Sequence, residues 1–375
     1  MFEPPHALFG ESLIQKPNIH GSAWSELATV LPKTMKAIIY YGPRDVRVDN
    51  IQVPEVASAD VLVEVRARGI CGTDFKMYLG TIPYVSKVPV IMGHEGSGVV
   101  AEIGSAVDRV SVGDRVCINP ILSCGECYYC SRGADNMCKK YRSLGMDADG
   151  DFAEYVKVPA RNVFRLPDRI PFDEGAVLCD ALATPLHAVR RAGVVVGETA
   201  VVYGVGGLGS CAVQLLRMCG AKVIAVDVVE EKLKLARELG VDETVNSAEE
   251  DPVSRVIELT DGEGADVSVE VVGSKETLEP AIKSIRKGGR VIMIGIYPEK
   301  IQFDPIADLQ SKEAQFLGVW GWSRSDYPAA IELVRSGRVN LRRLISHRIA
   351  LSEIERAWEI FSKEPKKGRI VIDRV

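Results

Sequence analysis

Two rhythms of apolar and polar residues divide the chain. From Met35 to about Pro167 the pattern is short and alternating. Val61, Val63, Val65 and Ala67 fall on one side of a period of two, and Glu64, Arg66 and Arg68 on the other, the mark of a half-buried strand. Gly42-Pro43, Gly69, Gly80, Pro89, Gly93, Gly113 and Pro120 interrupt the block, which predicts short strands joined by turns in a partly open β-barrel. From about Leu182 continuous apolar runs alternate with helical spacing. Residues 200–203 and 223–226 read as buried strands, and Leu208, Ala212, Leu215, Leu216 and Cys219 share one helical face between them. Residues 231–239 read as a helix stopped by Gly240, Asp251-Pro252 as the start of another, and 267–272, 290–296 and 316–320 as strands. The pattern predicts six strands with interleaved helices, an α/β fold with a doubly wound parallel sheet. Beyond Ser325 come two helices and a last strand, 368–373, with Ser352 and Glu355 spaced as a capping box ahead of Ile354, Ala357, Trp358 and Phe361. This tail is expected to return to the first block. Residues 34–183 and 324–375 then form one domain, and 184–323 form an inserted second one. Residues 1–33, rich in Pro, Ser, His and Asn, form an extension on the surface or loosely ordered.

Composition narrows the setting. The chain has 375 residues, 46% of them hydrophobic, enough for two or three packed domains. A formal net charge of −5 gives no electrostatic reason to expect nucleic acid or an anionic membrane. No apolar run approaches the ~18 residues of a membrane span. The start lacks a basic segment followed by an apolar block. A cytoplasmic protein is expected, and its nine cysteines should be thiols or metal ligands rather than disulfides.

The stretch from Thr199 to Asp227 carries the first chemistry. Gly204, Gly206, Gly207 and Gly209 stand between strand and helix. Such a turn lets backbone N–H groups approach a pyrophosphate at a helix N-terminus. Asp227 ends the second strand, where an acid accepts the adenosine ribose hydroxyls. It is followed by Val228, Val229 and Glu230 with no arginine, and a carboxylate there repels a 2′-phosphate, so NAD is expected over NADP.

Cys124, Cys127, Cys130 and Cys138 lie close enough in sequence to surround one tetrahedral Zn²⁺ in a closed structural site; two disulfides or four free thiols are the alternatives. A second set is dispersed: Cys71 in GICGTD, His94 and Glu95 in VIMGHEGSG, and Asp180 in LCDALATPLH. A catalytic zinc wants three protein ligands and one exchangeable position. Taken singly, Cys71 also fits a core thiol, His94 a hydrogen-bonded core histidine and Asp180 a helix cap.

In combination, CGTD, GHEGSG, the four-cysteine lobe and GVGGLG resemble the zinc-dependent medium-chain alcohol and polyol dehydrogenase family, sorbitol and threonine dehydrogenases included, from about Met35 to Val375. The resemblance implies a GroES-like barrel domain, a Rossmann-type NAD domain and a cleft between them. It implies a catalytic zinc on Cys71, His94 and Asp180, with Glu95 able to approach the metal and Cys179 as a reserve ligand, and so two Zn²⁺ per chain. Thr73, Asp74, Lys76 and Glu95 become the catalytic candidates, with Thr73 taking the substrate proton. Thr184, Gly204, Gly206, Gly207, Leu208, Gly209, Asp227, Lys232, Val272, Gly295, Ile296, Val319 and Arg369 become the cofactor candidates, with Arg369 near the pyrophosphate. The implied reaction moves hydride from a secondary alcohol or polyol to NAD. Rival readings are an L-threonine 3-dehydrogenase, a zinc-free reductase of activated double bonds and a non-catalytic NAD or zinc sensor.

Two departures stand out. Lys76 occupies the place where the family usually carries a histidine at the outer end of the proton path. An ordinary lysine already holds its proton at neutral pH, so the relay should leave through solvent or the cofactor ribose. Val319-Trp320-Gly321-Trp322 replaces a segment where sorbitol-type enzymes carry an arginine. The two tryptophans fit an apolar cleft, a subunit interface or, for Trp320, plain core packing. Through pairing of the last sheet strand, family members form dimers that often pair into tetramers.

Overall fold

Residues 31–82, 84–297, 300–363 and 368–375 are described in a computed structural model of the chain. The extension expected over 1–33 lies outside the described residues, apart from its last three.

The glycine-marked run opens a six-stranded parallel sheet. Its strands, in chain order, are β1 (Thr199–Tyr203), β2 (Lys222–Asp227), β3 (Glu243–Asn246), β4 (Ala265–Glu270), β5 (Ile285–Met293) and β6 (Gln315–Gly318). In space they run β3-β2-β1-β4-β5-β6. The order reverses between β1 and β4, which opens a crevice at their C-terminal ends, the usual place for a dinucleotide. Helices cover both faces, so the central strands read as unbroken apolar runs. The sequence left β3 unmarked because only Val245 of its four residues is fully buried. It predicts a strand over 267–272, but β4 ends at Glu270. There the chain turns, because the Glu270 side chain accepts the N–H groups of Val272 and Gly273 at 2.8 and 2.9 Å. The helix Glu230–Glu238 stops before Gly240, whose φ is +86°. Asp251 caps the helix Pro252–Leu259 by accepting the Ser254 N–H, as its sequence predicts.

The first block folds as a largely antiparallel sheet. Its neighbours run Val163–Arg165, Arg115–Ile118, Gly96–Ile103, Asp60–Ile70, Arg369–Arg374 and Ile345–Ala350, and Tyr155–Pro159 also pairs with Asp60–Ile70. The central strand, Asp60–Ile70, has 11 residues and is longer than the glycine spacing suggests. The C-terminal strand does return here, with Ile370 opposite Ile70.

Two expectations are corrected. Arg68 was expected on a polar face. It is fully buried, with Nε 3.1 Å from the carbonyls of Asp151 and Ala153 and Nη2 2.9 Å from that of Val65. The strand is covered on both sides, and carbonyls meet Nε and Nη2 where water would otherwise be needed, while Nη1 is buried without a hydrogen-bond partner. The turn before the last helix, Ile354–Lys363, is closed by Glu353, which accepts the Ala350 N–H at 2.7 Å, two residues ahead of the expected Glu355.

Candidate functional site

Cys71 caps the short helix Gly72–Tyr78, directly after the strand Asp60–Ile70. Asp74, three residues into the turn, accepts the Cys71 N–H at 2.8 Å, and its other oxygen lies 3.3 Å from His94 Nδ1. One carboxylate thus fixes two of the expected ligands. By engaging Nδ1 it leaves Nε2 of the imidazole for a metal. Asp74 is thus placed to orient both residues.

Asp180 comes from a third element, a π-helical turn, Leu178–Leu182, inside the helical run from Phe172 to Ala192. An extra residue in one turn changes the direction of the following side chains, and such turns recur at functional sites. Asp180 Oδ1 accepts the Thr184 hydroxyl at 2.5 Å, and Oδ2 lies 3.2 Å from Cys71 Sγ. The Cys179 thiol points instead at the carbonyls of Gly175 and Gly96, so the reserve ligand lies off the cluster. Burial pushes its pKa up, which disfavours the thiolate a metal needs.

The ligand atoms of Cys71, His94, Glu95 and Asp180 all lie within 4.8 Å of one another, and all four residues are buried. Both Glu95 oxygens lack a hydrogen-bond partner. Arg369 Nη2 lies 3.1 Å from Glu95 Oε1, within ion-pair range but out of line for a hydrogen bond, and 3.1 Å from Asp180 Oδ2. One guanidinium is shared by two carboxylates. Burial raises Glu95 well above the carboxylate range despite Arg369. Asp180 suffers the same burial, but Arg369 and His94 outweigh it and hold its carboxyl at about 2. Asp180 therefore carries the charge. A thiol, an imidazole and an ionised carboxylate converging on one point, beside a carboxyl without donors, form a donor set that fits zinc.

The four-cysteine lobe fits a second metal. Its sulfurs are spaced at 3.4 Å for Cys124 and Cys138, 3.5 Å for Cys127 and Cys130, and 3.9 Å for both Cys124–Cys130 and Cys127–Cys138. Sulfurs ~2.3 Å from a tetrahedral zinc lie ~3.8 Å apart, whereas a disulfide needs ~2.0 Å.

The glycine turn has the expected shape. Gly204 has φ +92°, and a Cβ on Gly209 would sit 1.8 Å from the Gly204 carbonyl oxygen, so only glycine lets helix and strand pack this closely. A Cβ on Gly206 would meet nothing within 4 Å, so this edge faces open space. Asp227 accepts the Val205 and Val229 N–H groups at 2.9 and 3.0 Å, and Lys232 Nζ lies 3.1 Å from both its oxygens.

Arg369 joins the two centres. Its Nε lies 2.6 Å from where a Gly207 Cβ would stand, at the glycine turn. The other end of the guanidinium reaches the ligand cluster. It is 4% exposed, which excludes an ordinary solvated charge.

Cys71, His94, Asp180, the glycine turn, Asp227, Lys232 and Arg369 line one cleft of about 560 Å³, and Glu95 lies behind its lining. Thr73 and the cofactor candidates Leu208, Val272, Gly295, Ile296 and Val319 line it too. Lys76 does not face solvent alone: its ammonium reaches the Ile296 carbonyl at 3.1 Å. Trp320, weighed as a core residue, is 48% exposed and lines the cleft, while Trp322 is the buried one at 5%. The sequence did not mark Tyr84, Tyr141, Ser143 and Met146 as cleft residues, because no spacing distinguishes them from ordinary packing. Glu270, which holds the Val272–Gly273 turn beside the cleft without lining it, was missed as well; a lone acid at the end of an apolar run was its only signal.

Known proteins agree with this arrangement. Residues 57–168 match the alcohol dehydrogenase GroES-like domain, and residues 207–336 match the zinc-binding dehydrogenase domain. An alcohol dehydrogenase of Geobacillus stearothermophilus is 35% identical over 90% of this chain and 98% of its own. An L-threonine 3-dehydrogenase of Pyrococcus abyssi is 35% identical over 92% of this chain and 99% of its own. The alcohol dehydrogenase structure of Aeropyrum pernix superposes with a TM-score of 0.84 at 33% identity, covering 90% of this chain and 99% of that one. With barrel, parallel sheet and both cysteine-bearing centres in place, the chain belongs to the zinc-dependent medium-chain alcohol dehydrogenase family.

Proposed function

We propose that the protein oxidises a small secondary alcohol or polyol to the ketone, with NAD as hydride acceptor and zinc as the metal. The observation that carries this is the convergence of Cys71, His94 and Asp180 in the cleft that also holds the glycine turn. Residues 34–183 with 324–375 act as the catalytic unit and 184–323 as the coenzyme unit.

When bound, zinc supplies Lewis acidity that makes an alcohol hydroxyl acidic near neutral pH, and NAD supplies the hydride acceptor. The remaining work falls to the chain. Cys71, His94 and Asp180 hold the metal, and Asp74 and Thr184 hold two of those ligands in place. Thr73 Oγ1 takes the hydroxyl proton and passes its own to solvent or the cofactor ribose. The turn at Gly204–Gly209 receives the pyrophosphate, and Arg369 lends positive charge beside Gly207. Asp227 and Lys232 meet the adenosine ribose, and the carboxylate favours NAD over NADP. Lys76 ties the catalytic helix to the coenzyme loop, which narrows the cleft around the substrate.

Threonine is disfavoured as the substrate. It carries an ammonium and a carboxylate, whereas Tyr84, Ile121, Tyr141, Ser143, Met146 and Trp320 give the cleft a run of uncharged lining, and Lys76 there is already bound to the Ile296 carbonyl. The nine free cysteines support a reducing, cytoplasmic location, and no helix among the described residues is long and apolar enough to cross a membrane. β6 lies at the end of the parallel sheet, which supports a homodimer or homotetramer formed through it.

The test is NAD-coupled turnover on secondary alcohols, diols, sugar alcohols, cyclitols and threonine. Turnover of at least one uncharged alcohol is expected. Activity on threonine alone, or on nothing, would discard the proposal.

A further inference from the structure

The segment that follows β6 walls the cleft yet belongs to no strand or α-helix. Val319 makes the last sheet bond, donating its N–H to the Met293 carbonyl at 3.0 Å. Over the next five residues ties come from the four-cysteine lobe, besides the Ser323 N–H to Asp326 and the Arg324 Nε to the Arg161 carbonyl. Asn136 Nδ2 donates to the Trp320 carbonyl at 2.8 Å. Asp135 Oδ1 accepts the Ser323 hydroxyl at 2.7 Å and the Arg324 N–H at 2.9 Å. The Ser323 hydroxyl also contacts the Gly133 carbonyl. Asp135 and Asn136 are each 5% exposed and sit in the turn Asp135–Met137, directly ahead of the ligand Cys138.

These ties orient an aromatic wall. The Trp320 ring meets Tyr84 edge-on with centroids 5.9 Å apart, and Tyr141 at a tilt with centroids 6.0 Å apart. All three line the cleft. Tyr141 also hangs from the lobe, since its N–H donates to the Cys138 carbonyl. Next to Trp320, Gly321 has φ +55°, and a Cβ there would press 3.0 Å against Ile121 Cδ1. Asn136 thus holds the backbone that carries the indole, and Tyr84 and Tyr141 flank its ring. If the Asn136 amide is removed, the Trp320 carbonyl is left half-buried without its donor, and the segment must shift to find another.

We propose that Asn136, with Asp135, is a specificity-determining positioning residue. From inside the cysteine lobe it sets the Trp320 ring against which the hydrocarbon part of the alcohol packs. The lobe then shapes substrate preference besides holding a loop. This rests on the dehydrogenase reading above.

The test is a double-mutant cycle on the full-length, metal-loaded enzyme, using Asn136→Ala, Trp320→Ala and the double variant. The probes are 2-heptanol and 2-propanol with NAD. In an intact Trp320 background, Asn136→Ala should raise the KM for 2-heptanol about five- to tenfold and that for 2-propanol less than twofold. The kcat and the KM for NAD should stay within twofold. In the Trp320→Ala background the same substitution should change nothing further, because the two residues act as one unit. Asn136→Gln, which keeps a donor, should recover part of the loss. Should Asn136→Ala not fold, Asn136→Leu, similar in volume and without a donor, carries the same cycle. Additive effects, or equal losses on both alcohols and on NAD, overturn this inference alone. Absence of NAD-coupled turnover on every alcohol overturns it together with the proposed function.

Discussion

Lys76 Nζ lies 3.1 Å from the carbonyl oxygen of Ile296, 220 positions further along the chain, and 3.5 Å from that of Val272. Both contacts use the ammonium as a donor. The side chain therefore acts as a tie across the cleft. Lys76→Ala is expected to weaken NAD and slow turnover by about tenfold or less, the worth of one charge-assisted hydrogen bond. The pH profile of kcat should keep its shape. Steady-state kinetics from pH 6 to 10 check this, and a collapsed rate with a vanished inflection would restore Lys76 as a proton carrier.

Asp180 gathers contacts from Thr184, Arg369 and Cys71. Metal analysis of the purified protein should give two zincs per chain, and Asp180→Ala should give one, with the lobe metal retained. Loss of a ligand or its partner commonly lowers metal affinity or activity by ~10–100-fold. An unchanged count would move the third ligand to Glu95.

Asp227 holds Lys232 and two backbone N–H groups. Asp227→Ala removes the carboxylate that repels a 2′-phosphate and frees the ammonium to attract one. The KM for NAD should rise about tenfold and that for NADP should fall, by the scale of a charged hydrogen bond. Unaltered cofactor preference would refute the role given to Asp227.

Asp326 ties the segment after Trp320 to the helix Ala183–Ala192, with His187 Nδ1 at 2.9 Å and Arg190 Nη1 at 2.6 Å. Burial opposes its charge, but bonds from His187, the Ser323 N–H and Arg190 outweigh burial and hold the carboxyl below its ordinary range. A depressed folded-state value contributes stability above the unfolded value of ~3.9 that is lost as pH falls through the folded one. Asp326→Asn should therefore lower stability at pH 7 by roughly 1–3 kcal/mol, and the gap should close in acid. Denaturant unfolding at pH 7 and at pH 3 measures the difference; a gap that is constant with pH would show that the charge does not matter.

The chain's local order determined much by itself. The glycine turn, the acid closing β2 and the four clustered cysteines are written within short windows, because each needs only its own strand, helix or loop to take shape. The types of the dispersed ligands were legible as well, through the motifs around Cys71, His94 and Asp180. What tertiary structure alone decided depends on register between distant segments. Ile370 pairs with Ile70, and this sets Arg369 beside Cys71 and Glu95 rather than in solvent. Two-sided covering of the strand Asp60–Ile70 buries Arg68 against carbonyls that no periodicity reveals. The same holds for Lys76 on Ile296 and Asn136 on Trp320. A side-chain donor meeting a backbone carbonyl leaves no mark on the sequence at the accepting end, since every residue carries that carbonyl.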